Sequence, residues 1–251
     1  MRIVSLCPSL TELIFDLGRG DDLVGITRWC VHPRPAVDSV EKVGGTKNPD
    51  VDRILELEPD LVLLNREENR REDAEALDRA GVCCHVSMPR DAVETAAMVR
   101  EIGVAVDRPG EADEISRRIL ERAAAAARRA AGRPPVPFAY LIWRRPWMAA
   151  GGDTYAHALL ELAGGRNVFA HRAERYPEIE PAELTAAAPS LVLLSTEPFP
   201  FDKSHQTELA AATGLPAERF YIADGEYLSW HGSRTPAGID YAVELLTRAD
   251  G

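Results

Sequence analysis

Apolar positions along this chain fall into two rhythms. Leu61-Val62-Leu63-Leu64 and Leu191-Val192-Leu193-Leu194 are continuous apolar runs. They lack the alternation of a half-exposed strand and predict parallel strands buried on both faces. Further strands are predicted at the N-terminal Ile3-Val4-Ser5-Leu6, at Leu23 to Ile26, Cys83 to Val86, Phe138 to Ile142 and Phe220 to Ala223. Between them lie stretches with helical spacing: Leu10 to Leu17, Arg70 to Ala80, Asp91 to Val104, Thr154 to Leu162, Glu180 to Ala188, His205 to Thr213 and Thr235 to Thr247. Ser9-Leu10-Thr11-Glu12 has the form of a capping box, with Ser at the N-cap and Glu at N3. Asn48-Pro49 predicts an N-cap followed by Pro, opening a helix that runs to Glu56.

One segment stands apart. Glu111 to Arg129 is rich in Glu, Arg and Ala and contains no Gly or Pro, which favours one uninterrupted helix of roughly 28 Å. Gly132-Arg133-Pro134-Pro135 ends it. The halves on either side echo each other, because Pro59-Asp60-Leu61-Val62-Leu63-Leu64-Asn65 returns as Pro189-Ser190-Leu191-Val192-Leu193-Leu194-Ser195. Alternating strands and helices with a repeated order predict an α/β protein of two Rossmann-like lobes, residues 1–107 and 134–251, joined by a long backbone helix at 108–133.

Ligands of open α/β sheets bind beyond the carboxyl ends of the strands. The segments there are Thr27-Arg28-Trp29-Cys30-Val31-His32, Asn65-Arg66-Glu67-Glu68, Trp143-Arg144-Arg145-Pro146-Trp147, Ser195-Thr196-Glu197-Pro198-Phe199, and Asp224 through Tyr227, Trp230 and His231. All four tryptophans lie in these segments. Indoles gathered in connections predict a ligand cleft between the lobes, with Trp29, Trp143, Trp147, Tyr227 and Trp230 packing on a flat or large guest. Asn65, Glu67, Glu68, Arg144, Glu197, Phe199 and His231 complete the expected lining.

Composition narrows the partners. A formal net charge of −11 argues against nucleic acid or an anionic membrane surface. No apolar stretch reaches the roughly 20 residues of a membrane span. The chain enters a predicted strand at once, without a leader's charged and apolar regions. A cytoplasmic location is therefore expected as written, or a periplasmic or extracellular one where a leader has been removed. Four cysteines, Cys7, Cys30, Cys83 and Cys84, make no CxxC pair, which fits reduced thiols, and a monomer is expected.

Cys30 and His32 are metal-ligand types two residues apart, with Glu67, Glu68, His231 and Glu226 able to complete a set, so a direct metal-ion binder is one alternative. An enzyme built on the same scaffold is another. No GxSxG elbow, HExxH, Walker loop or GxGxxG after a strand is present, so no catalytic residue is assigned.

The segments Arg2-Ile3-Val4-Ser5-Leu6-Cys7-Pro8-Ser9-Leu10-Thr11-Glu12-Leu13, Leu23-Val24-Gly25-Ile26, Pro59-Asp60-Leu61-Val62 and Glu161-Leu162-Ala163-Gly164-Gly165-Arg166-Asn167-Val168-Phe169, with the long helix, resemble the helical-backbone metal receptor superfamily. This is the single-helix class of substrate-binding proteins for cobalamin and ferric siderophores. The resemblance implies two α/β lobes, a stiff hinge helix, and a metal chelate such as cobalamin as ligand rather than a catalytic cofactor. Trp29 falls where the cobalamin-binding members carry an aromatic, and His32 falls on a second aromatic position. Asn65 replaces a tryptophan, and Tyr227 matches an aromatic of the late loop. His32 or Cys30 would then approach the ligand's metal. An ABC permease is the implied partner, yet the glutamates that dock on it are displaced: the matching positions are Arg71, beside Glu72, and Ser229.

Overall fold

The computed structural model describes residues 1–248. The chain forms two compact units. Unit 1 comprises Met1–Pro89, Val93–Arg118 and His231–Arg234, and unit 2 comprises Arg90–Ala92, Ile119–Trp230 and the chain from Thr235 onward. This grouping divides the chain within the long helix, between Arg118 and Ile119, and places four late residues in the first unit.

Unit 1 is built from β1 (Ile3–Ser5), α1 (Pro8–Asp16), β2 (Leu23–Ile26), α2 (Val51–Glu56), β3 (Leu61–Asn65), α3 (Arg71–Arg79), β4 (Cys84–Ser87) and most of α4 (Ala92–Ala105). Its sheet is parallel throughout, in the order β2-β1-β3-β4. Every residue of β3 is buried, which is why its sequence carries no polar alternation. Val4, Leu6, Val43, Ile54, Leu57, Val62, Leu64 and Leu77 form a core cluster of this sheet and its helices. Two helix N-caps of this unit differ from expectation. Cys7, not Ser9, is the N-cap of α1, with Pro8 in the first turn, a place where its missing N–H costs nothing. Ser9 is buried in that turn against the Cys7 thiol. At α2 the cap is Asp50, whose carboxylate accepts from Arg53 N at 3.0 Å.

Helix α5 spans Pro109–Ala130, about 33 Å at the usual rise. Ala112, Ile115, Ser116, Ile119, Ala123 and Ala126 are its buried stripe, spaced at three and four residues as a one-sided helix requires. In unit 1 it packs on α4 at Gly103, where a Cβ would lie 2.1 Å from the Ala112 methyl. Only glycine permits that approach.

Unit 2 contains β5 (Val136–Trp143), β6 (Met148–Ala149), α6 (Tyr155–Leu162), β7 (Gly165–Asn167), α7 (Pro181–Ala187), β8 (Leu191–Ser195), α8 (Lys203–Thr213), β9 (Phe220–Ala223), α9 (Gly225–Ser229) and α10 (Thr235–Arg248). Its sheet runs β6-β5-β8-β9, with β7 also on β5 and β6 alone antiparallel. The echo seen in the sequence is topological. Strand β8 lies between β5 and β9 as β3 lies between β1 and β4, and β7 is parallel to β5 as β2 is to β1. Strands β6 and β7 and helix α9 were not anticipated: each is five residues or shorter and none carries an apolar run or helical period long enough to read.

Candidate functional site

At the carboxyl edge of the unit 1 sheet, three strand-end loops are tied together by buried polar side chains. Asn69 is 7% exposed. Its amide nitrogen donates to Leu6 O at 2.9 Å and to Thr46 O at 3.0 Å, and its Oδ1 accepts from Asn65 N at 2.8 Å. One side chain therefore joins the loops after β1, β2 and β3. Asn65, 2% exposed, folds the next turn by accepting Glu67 N at 2.8 Å and Glu68 N at 3.3 Å, while its Nδ2 meets His231 Nε2 at 2.9 Å. The Lys47 ammonium donates to the Glu67 carbonyl. Burial raises the Glu68 carboxyl above the usual carboxylate range, Lys47 pulls it back and Glu67 adds to the rise.

Asn65, expected to line the ligand, is buried here and braces the loop from within. Cys30 is buried as well. Its thiol is 2% exposed, receives the Thr11 hydroxyl at 3.0 Å and lies 3.2 Å from Thr27 Oγ1. Burial raises its pKa above that of an ordinary thiol, whereas a metal needs the thiolate. Among the described residues no group of three or more His, Cys, Asp or Glu is placed to hold a metal ion, so Cys30, His32 and the acidic loop residues do not converge on one. His32 itself is half-buried on the loop after β2, and Trp29, two residues past Thr27 on that loop, is 59% exposed.

The segment His231–Arg234 closes this edge. His231 is 7% exposed, and burial pushes its imidazole down to about 4 against the opposing pull of Glu67. Arg234 grips Glu12 through two bonds, Nε to Oε2 at 2.8 Å and an NH2 nitrogen to Oε1 at 2.6 Å. Glu12 was expected to close a capping box; its carboxylate serves this fork instead. Both side chains are less than a fifth exposed. Replacing Arg234 by Met should lower unfolding free energy by about 2 kcal/mol, read from urea melts, while Arg234→Lys should recover only part of that loss.

At the carboxyl edge of unit 2, Trp143 ends β5 and is 40% exposed. It meets Phe199 edge-on at 5.7 Å, and Phe199 continues to Phe201 at 4.8 Å and His205 at 5.1 Å. Two expected aromatic walls are absent from the surface. Trp147 is 8% exposed, stacks on Phe201 at 5.9 Å and belongs to a core cluster, with the Arg144 guanidinium 4.3 Å above its ring. Trp230 is 7% exposed and ends α9, its N–H donating to Glu226 O. Both were placed in open loops because short structure, β6 and α9, went unread. Arg144 is paired with Glu208, which leaves it bracing Trp147. Glu197 is half-buried, its carbonyl accepting from Ser195 Oγ, and Tyr227 is half-buried against Tyr241 at 5.2 Å.

Asn69, Lys47 and Arg234 were not singled out from sequence. Asn65 and Asn69 stand four apart after a buried strand, but inside a charged run that reads as solvated. Of the displaced docking positions, Arg71 is 87% exposed and paired with Glu75, Glu72 is exposed beside it, and Ser229 is exposed.

Residues 3–215 match the family described as periplasmic binding protein. The vitamin B12-binding protein of Photorhabdus laumondii is 26% identical over 195 residues, which cover 78% of this chain and 70% of the relative. Among solved structures, the periplasmic vitamin B12-binding protein of Vibrio cholerae is 21% identical with a TM-score of 0.84, covering 99% of this chain and 97% of its own. The periplasmic heme-binding protein of Roseiflexus sp. RS-1 is 24% identical with a TM-score of 0.85, covering 99% and 98%. Both of these solved proteins are described as periplasmic, which lends no support to the cytoplasmic expectation. Among the described residues no helix is long and apolar enough to cross a membrane.

Proposed function

Because the chain belongs to the periplasmic binding protein family, we propose that it binds a flat metal chelate, a corrinoid or a porphyrin, and releases it chemically unchanged. The observation that carries this reading is where its exposed indoles sit. Among the described residues, Trp29 at 59% and Trp143 at 40% are the aromatic side chains left openly exposed. Each lies at the carboxyl end of a parallel strand system, Trp29 after β2 and Trp143 at the end of β5, where α/β sheets bind ligands. An indole left in water loses the burial that a planar guest would return, and aromatic rings prefer stacked or edge-on partners.

Relatives named for vitamin B12 and for heme support the same class of guest. His32, on the Trp29 loop, is the imidazole we assign to the chelated metal; with Cys30 buried and protonated, no thiolate competes for that role. Glu67, Glu68, Glu197, Phe199 and Tyr227, all half-buried near strand ends, are proposed to border the guest.

Mixing the protein with hydroxocobalamin or hemin should shift the absorption of at least one chelate and carry it through a sizing column with the protein. Trp29→Ala should weaken that binding at least about tenfold, the usual cost of removing an aromatic anchor. His32→Ala should abolish the spectral shift more completely than it abolishes co-elution. Neither chelate shifting nor co-eluting would refute the reading.

A further inference from the structure

The Asn65–His231 contact has a direction that can be deduced. Asn65 Oδ1 accepts two backbone N–H groups, from Glu67 and Glu68, which fixes which end of the amide is oxygen. The nitrogen therefore faces His231, and an amide nitrogen can only donate. At 2.9 Å from Asn65 Nδ2, His231 Nε2 must accept, so its proton sits on Nδ1.

We propose that Asn65 and His231 are a positioning pair: His231, held as the Nδ1–H imidazole, orients the Asn65 amide, which in turn holds the Glu67–Glu68 turn in the shape that meets the ligand. The chemistry of the pair is strict, because each partner offers the other one kind of group. Asn65 uses its oxygen on the turn and its nitrogen on the imidazole, so rotating the amide would set its nitrogen against the two N–H donors of Glu67 and Glu68. The imidazole arrives from far along the chain, 166 residues away, on the short stretch that leaves unit 2 to pack with unit 1. Neither residue is exposed enough to offer a ligand a face. Their action is through the turn, whose two glutamates are half-buried at the strand end. The ligand half of the proposal rests on the chelate-binding reading above; the pair itself does not.

Three proteins test it: wild type, His231→Leu, which fills space but accepts nothing, and His231→Gln, whose carbonyl can accept from Asn65. Nitrogen-15 spectra of wild-type imidazoles at neutral pH should show His231 protonated at Nδ1 and bare at Nε2. In ligand-free His231→Leu, the Glu67 and Glu68 amides should exchange about tenfold faster, as for one buried hydrogen bond lost. His231→Gln should exchange within about twofold of wild type. Affinity for hydroxocobalamin or hemin should follow the same order, weakened about tenfold by Leu and restored by Gln. A proton on Nε2, or wild-type exchange at both amides in His231→Leu, overturns the pair; the first is read on wild type and needs no variant to fold. Faster exchange with undiminished affinity in His231→Leu overturns the role of the turn in binding. Wild-type protein that binds neither chelate overturns the chelate reading, while the nitrogen and exchange signatures still decide the pair.

Discussion

Asn69→Leu is expected to lower the stability of unit 1 by about 4 kcal/mol, from three buried hydrogen bonds lost at roughly 1–1.5 kcal/mol each. The substitution keeps the branched shape and heavy-atom count of the side chain and removes every polar atom. It leaves Leu6 O, Thr46 O and Asn65 N without the amide they now share, and unsatisfied buried backbone groups carry the full desolvation cost. Urea denaturation followed by circular dichroism reads the loss. Asn69→Asp is the informative companion, because a carboxylate can still accept from Asn65 N but sets its charge against two carbonyl oxygens. It should be at least as damaging as Leu near neutrality and less so in acid. Wild-type stability in Asn69→Leu would show that the three loops hold one another by other means.

The second large effect is on acid sensitivity. Burial depresses the His231 imidazole from 6.5 to about 4, so the folded protein resists a proton that the unfolded chain accepts. Stability from this group is complete above pH 6.5, declines as the pH falls toward 4, and stays level below. The full drop is about 3 kcal/mol, from a shift of 6.5 to about 4 at 1.36 kcal/mol per unit. Two carboxyls oppose it: burial raises Glu68 and Asp16, and their folded forms gain protons readily as acid is added. The clean measurement is therefore the difference between wild type and His231→Gln in urea melts at pH 7.5, 5 and 4. Wild type should lose about 3 kcal/mol more than the variant across that range. Parallel slopes would mean that the imidazole is not shielded as its burial implies.

How much of this could be read from the chain differs by scale. The buried runs of β3 and β8 and the Gly-free, Pro-free stretch of α5 announce themselves, because a strand covered on both faces and an uninterrupted helix each demand a composition that little else produces. Strand β2 was bounded to the residue, Leu23–Ile26. Strand β7 was not foreseen, since Gly165-Arg166-Asn167 is held by its pairing to β5 rather than by any apolar signal of its own. The site was legible as a region and not as a set of contacts. Position after a strand end points equally to Trp29 and Trp143, which are exposed, and to Trp147 and Trp230, which are buried; the burial of Trp147 depends on a neighbour distant in the chain, Phe201. Asn65 is expected in the ligand lining only because it follows a buried strand. Its actual partners, two backbone amides and a histidine 166 residues away, belong to three dimensions alone.

The return of His231–Arg234 to unit 1 sets an order of events during synthesis. A nascent chain that has emerged as far as α5 contains every strand of the first sheet, but Asn65 still lacks its imidazole and Glu12 its guanidinium. Domains otherwise tend to settle from the N-terminus as they leave the ribosome; here unit 1 is completed by a stretch made long after its own strands, so a chain cut short before that stretch would yield a unit that is never finished.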